Sequence, residues 1–145
     1  MCLAVVGLSV AGIAVAAYLT SVHYASVPLA CSAAGVINCE QVLTSRYSEI
    51  VGVPWSAGGI VWFAVSGLMA LAALLKSPEP EPLQLAQLGW SILGIVVVGY
   101  LVAVEIFALK HICVWCTSMH ALIVLTLVLV LFRTPNIHLA EDMET

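Results

Sequence analysis

The chain has 145 residues, of which 63% are hydrophobic and 8% charged, and its formal net charge is −4. A water-soluble domain carries about 25% charged residues, so this composition excludes a soluble globule and makes the bilayer the solvent for most of the chain. No basic run is present, which excludes nucleic-acid and polybasic-lipid recognition, and the length fits a single domain.

A helix that crosses a membrane needs about 20 apolar residues, and four stretches qualify. The first, about residues 3–22, carries no formal charge. It is longer than a signal-peptide core and has no basic segment ahead of it, so it reads as a retained span. The long connection 23–53 follows, with Cys31, Cys39, Glu40, Arg46 and Glu49. Within it, Asn38-Cys39-Glu40-Gln41-Val42-Leu43 predicts a short helix at the membrane surface, with Asn38 as N-cap and Gln41 as its capping-box partner.

The second span is about 54–75, where Pro54 suits a first helical turn because its missing N–H is no loss there. Ser77-Pro78-Glu79-Pro80-Glu81-Pro82 is a hydrophilic turn. The third span, about 85–109, carries one charge, Glu105, near its end; an interfacial ion pair with Lys110 is expected there, and a functional role, common for carboxylates inside a span, is the alternative. The fourth, about 112–132, stops at Arg133-Thr134-Pro135, and only Lys110 and His111 separate it from the third. The fold class is all-α: an integral membrane bundle of four transmembrane helices, with an extramembrane loop carrying a short helix between spans one and two.

Parity places chemistry on this frame. With four spans, the connection between the first two lies on the same face as the connection between the last two. Cys31 and Cys39 therefore share a membrane face with Cys113 and Cys116. Charge does not orient the bundle, because Lys76 and Arg133 flank one side and Arg46 and Lys110 the other.

Cys113-Val114-Trp115-Cys116 is a C-x-x-C at a helix start. Unpaired N–H groups and the helix dipole favour a thiolate there, and Lys110 and His111 add positive charge. Such a pair suits thiol–disulfide exchange, in which one thiolate attacks and another leaves. C-x-x-C also binds zinc, and cysteines in a membrane helix can serve packing alone. Haem attachment is excluded, because Thr117 rather than histidine follows Cys116. The loop pair favours a relay: Cys39 sits at the start of the predicted helix, and Cys31 lies in an Ala/Ser/Gly-flanked stretch suited to meeting a partner. A fixed Cys31–Cys39 staple is the alternative. Cys2 is left over, as a bystander. His120 shares a helix face with Cys116 by i,i+4 spacing and is placed either to act beside it, through a hydrogen bond or by helping to move a proton, or to be satisfied within the bundle. Trp55 and Trp115, at span starts on the cysteine face, suit interfacial anchoring or the lining of a pocket.

Cys31, a seven-residue spacer, Asn38-Cys39-Glu40-Gln41-Val42-Leu43-Thr44-Ser45-Arg46-Tyr47, Gly52-Val53-Pro54 and Cys113-Val114-Trp115-Cys116-Thr117 together resemble the vitamin K epoxide reductase family over nearly the whole chain. The resemblance is to bacterial-type homologues without a fused thioredoxin-like domain. It implies a membrane thiol-disulfide oxidoreductase that supports disulfide-bond formation. Cys116 stands beside a membrane quinone (ubiquinone or menaquinone) and rests in a disulfide with Cys113. Cys39 attacks Cys113, and Cys31 exchanges with a separate thioredoxin-like or DsbA-like protein. Ser45 matches a hydroxyl position near the quinone pocket, His120 stands where vertebrate members carry a tyrosine and is placed to bond a quinone oxygen or help move a proton, and Trp115 is placed to line the quinone pocket. No metal is implied. The implied place is a bacterial cytoplasmic membrane, with the cysteines on the periplasmic, extracytoplasmic face. Two other readings remain: a dithiol-driven reductase of vitamin K epoxide or quinone, and a structural or zinc-holding membrane protein.

Overall fold

The computed structural model describes residues 1–25, 29, 31, 35–76 and 79–134. Ser77-Pro78, Pro135 and the residues flanking Cys31 lie outside them. The helices are α1 (Cys2–Ala25), α2 (Cys39–Leu43), α3 (Trp55–Leu75), α4 (Glu81–Ala103, continued by a π-helical turn, Val104–Leu109) and α5 (Val114–Arg133). Strands β1 (Glu49–Ile50) and β2 (Val53–Pro54) pair antiparallel ahead of α3. The four long helices are each long and apolar enough to cross a membrane, and the chain is a multi-pass membrane protein.

The bundle core is built from Ala16 and Leu19 of α1, Trp62 and Phe63 of α3, Val98 of α4, and Met119 and Ile123 of α5. Outward positions such as Leu68, Leu75, Val96 and Phe132 are apolar and exposed, as the lipid-facing surface of a spanning bundle must be. Helices in lipid approach closely through small residues rather than through a hydrophobic drive. Gly12 shows this: a Cβ there would come within 2.5 Å of the Phe63 ring. Gly12→Ala is expected to destabilise the bundle by about 1–3 kcal/mol, as overpacking does, measured as a lowered thermal midpoint in detergent. Trp62 and Trp90 tie α3 to α4 by reciprocal bonds, each indole N–H donating to the other's carbonyl at 3.2 and 3.1 Å.

Two helix starts differ from the sequence expectation. Span three begins at Glu81 rather than near 85, because Pro82 sits in the first turn, where an N–H is not needed. Span four begins at Val114 rather than 112. Ile112 is engaged in a β-bridge, and Cys113 has extended backbone (φ −101°, ψ 116°). The short β-hairpin was not anticipated. Its turn, Val51-Gly52, has positive φ at both residues (53° and 80°), as a type I′ turn requires.

The far end of the bundle is closed by Arg133. Its guanidinium donates to Glu79 and Gln87, both at 2.7 Å, and to the Cys2 sulfur at 3.2 Å. This contact puts Cys2 at the membrane face away from the other four cysteines.

Candidate redox site

A pair of backbone hydrogen bonds ties the loop to the entry of the last span. Asn38 N–H donates to the Ile112 carbonyl (3.2 Å) and Ile112 N–H to the Val36 carbonyl (2.9 Å), giving a parallel bridge between Ile37 and Ile112. The helix predicted at 38–43 follows at once. Asn38 caps it by accepting from the Gln41 N–H at 3.1 Å. Cys39 is thereby set at the first residue of α2 and Cys113 at the residue before α5, and the two lie in one buried cluster with Val42. Cys31 and Cys116 pack against that cluster, as do Leu29, Leu43, Leu109 and Trp115. All four cysteines of the two pairs thus meet at one end of the bundle, as parity requires.

Cys31 and Cys39 form a disulfide, with Cα atoms 6.3 Å apart, while Cys113 and Cys116 are free thiols. The Cys113–Cys116 bond that the resemblance implies for the resting protein is therefore open in this structure. Cys113 is the N-cap of α5: its sulfur accepts from the Cys116 N–H at 3.3 Å. An N-cap sulfur faces the orphan donors and the positive end of the helix dipole. The Cys113 thiol, one residue ahead of the span, is held below its ordinary pKa, first by a hydrogen bond from the Cys116 side chain. Burial and the nearby Glu105 charge push the other way without prevailing.

Beside Cys116 lies a cavity of about 200 Å³. α3 contributes Trp55, Gly59 and Trp62 to its wall, and α4 contributes Val97, Val98 and Leu101. Cys116, Met119 and His120 face it from α5, and Ser45 and Tyr47 from the loop. An apolar chamber with a few convergent polar groups is the usual form of a small-molecule site. Of the residues singled out in the sequence, Cys116, Ser45 and His120 are on its wall. Trp115 is not among the lining residues; its ring packs 5.0 Å from that of Tyr18. Both the Ser45 hydroxyl and its backbone N–H donate to the Val42 carbonyl, at 2.8 and 3.4 Å.

Glu105 departs from expectation. It is only 5% exposed and lines the cavity, while Lys110 is exposed. Among the described residues no ion pair joins them; the pairs present are His23–Glu49 and Arg133–Glu79. The cause is the π-helical turn. It ends on Lys110 in left-handed backbone (φ 56°), which sends the lysine outward while Glu105 stays under the cysteines. Tyr47 was also missed as a wall residue; nothing in its sequence context marks it. A lone carboxylate inside a span was the available signal for Glu105.

Among the described residues, no three His, Cys, Asp or Glu side chains are placed to share a metal ion, and two of the sulfurs that a zinc site needs are spent in the loop disulfide. The model of the vitamin K epoxide reductase family matches residues 3–131. Four spanning helices, two cysteine pairs gathered at one end and a match over most of the chain agree: the protein belongs to the vitamin K epoxide reductase family of membrane thiol oxidoreductases.

Proposed function

We propose that the protein passes electron pairs from an external dithiol protein, through Cys31/Cys39 and then Cys113/Cys116, to a membrane quinone, and so drives disulfide-bond formation. The observation that carries this reading is the position of Cys116. Among the described residues it is the one of the four cysteines that lines the cavity, and it packs against the cluster that holds Cys113, Cys39 and Cys31.

The steps balance without a metal or nucleotide. The partner's dithiol reduces the Cys31–Cys39 disulfide through a mixed disulfide on Cys31, and the partner leaves oxidised. The freed Cys39 thiolate attacks Cys113 of a Cys113–Cys116 disulfide, and Cys116 leaves as thiolate. Cys31 then attacks Cys39, restoring the loop disulfide and leaving Cys113 and Cys116 reduced. That last state has the same bonding as the structure, with the loop pair joined and the helix pair free. Oxidation of Cys113 and Cys116 by quinone gives hydroquinone and closes the cycle. His120 on the cavity wall is the candidate donor to a quinone oxygen, Ser45 can join it only by turning its hydroxyl from the Val42 carbonyl, and the apolar walls suit a ring whose tail remains in lipid.

The partner is a separate thioredoxin-like or DsbA-like protein. A loop disulfide persists where the compartment is oxidising, so the cysteine end faces the extracytoplasmic side of a bacterial cytoplasmic membrane. Purified protein given a dithiol under anaerobic conditions is expected to reduce ubiquinone or menaquinone analogues, followed by quinone absorbance, and to turn over vitamin K epoxide more slowly. Epoxide reduction without quinone reduction would reverse the assignment of substrate.

A further inference from the structure

Glu105 is a carboxyl group inside a membrane span, and carboxylates at such depth are costly unless they serve a function. Here no cation among the described residues offsets the cost. Glu105 is 5% exposed and makes no ion pair among the described residues. The backbone N–H of Cys113 is directed at its carboxylate. It sits in a six-residue π-helical turn, Val104–Leu109, and such turns recur at functional sites. It also shares the cavity wall with Cys116 and His120. The carboxylate thus lies between the backbone of one thiol residue and the chamber that the other opens on.

Resting on the quinone reading above, we propose that Glu105 is the proton carrier between the Cys113/Cys116 dithiol and the quinone. In this step two S–H bonds break, and one S–S bond and two O–H bonds form. The electron pair moves from sulfur to the quinone. Each thiol proton passes in turn to the Glu105 carboxylate and from it to a quinone oxygen. Electrostatics favours the exchange. A charged Glu105 opposes a thiolate beside it in this low-dielectric setting, so a proton leaving sulfur is best received on that carboxylate. The titratable groups around it are few. Cys113 and Cys116 interact with it from α5 and its entry, and His120 of α5 and Tyr47 of the loop share its cavity wall. On α2, Cys39 is held in the disulfide and Glu40 is exposed. His111 and Lys110 follow in the turn.

The test is Glu105→Gln, which retains the shape and a carbonyl acceptor for the Cys113 N–H but cannot carry a proton. Quinone-linked kcat is expected to fall about 100-fold, the usual scale of lost acid–base catalysis, with little change in quinone KM. The wild-type rate should decline at low pH, where the carboxylate is already protonated, and this acid limb should be absent from the Gln variant. Glu105→Asp should recover part of kcat and restore the limb. A Gln variant with wild-type kcat and pH profile overturns the proposal while leaving the quinone reading intact. Wild-type protein that cannot reduce quinone overturns both. If the Gln variant does not fold, redox-difference infrared spectra of wild-type protein decide. A carboxylic C=O band that changes on oxidation of the helix pair supports the carrier, and its absence overturns it.

Discussion

Cys116→Ala is expected to lower dithiol-driven quinone reduction on the order of 10³-fold or more, the scale on which enzymes lose rate when a reacting nucleophile is removed. Cys113→Ala should do the same, because either change leaves a single sulfur that cannot close a disulfide. The two variants should differ in another respect. Cys113 is fully buried and caps α5 through the Cys116 N–H, so its replacement also removes a helix cap, worth about 0.5–2 kcal/mol. Cys116 lines the cavity, and its replacement should leave the thermal midpoint nearer to wild type. Quinone absorbance under anaerobic conditions gives the rates, and thermal unfolding in detergent gives the stabilities. Wild-type turnover in both variants would remove the helix pair from the mechanism.

Cys39→Ala is expected to block transfer one step earlier. Electrons from an external dithiol should no longer reach the helix pair, and quinone reduction should fall on the order of 10²-fold or more. The Cys113–Cys116 bond, once formed by quinone, should then stay oxidised in the presence of the partner dithiol, as read by alkylation mass shifts. Cys31, left without its neighbour, should capture a partner that has one reactive cysteine as a lasting mixed disulfide. If turnover and the state of the helix pair are unchanged, the Cys31–Cys39 bond only staples the loop. Packing favours the relay, since Cys39 and Cys113 share one buried cluster.

Much of the scaffold could be read from local pattern. Long uncharged runs mark the spans because hydrocarbon demands it, and the Pro-rich segment marks the turn between the second and third. Asn38 and Gln41 announce the short helix because capping is a contact within one turn, and it appears as expected. The shared face of both cysteine pairs needed only the parity of four crossings. The start of span three was misplaced by four residues, because Pro82 reads as a breaker in sequence but is harmless in a first turn.

Nothing in the pattern around Glu105 announces a π-helical turn, since its extra residue per turn depends on what the helix end must reach. The sequence therefore offered Lys110 as the neighbour of Glu105, whereas the fold turns the lysine outward and keeps the acid in the cavity. Trp115 and Trp55 were equivalent as letters at span starts. Packing assigned the first to Tyr18 and the second to the cavity wall.

Residue types and their spacing were sufficient for the membrane class, the number of crossings and the sharing of one face by both cysteine pairs, because each of these follows from solvent and near-neighbour rules; the family was legible as a resemblance carried by the cysteine motifs. Tertiary structure decided which sulfur opens on the cavity, which polar groups surround it and how the loop is held to the last span. Those outcomes rest on contacts between segments far apart in the chain, such as Asn38 with Ile112, whose partners no local pattern specifies.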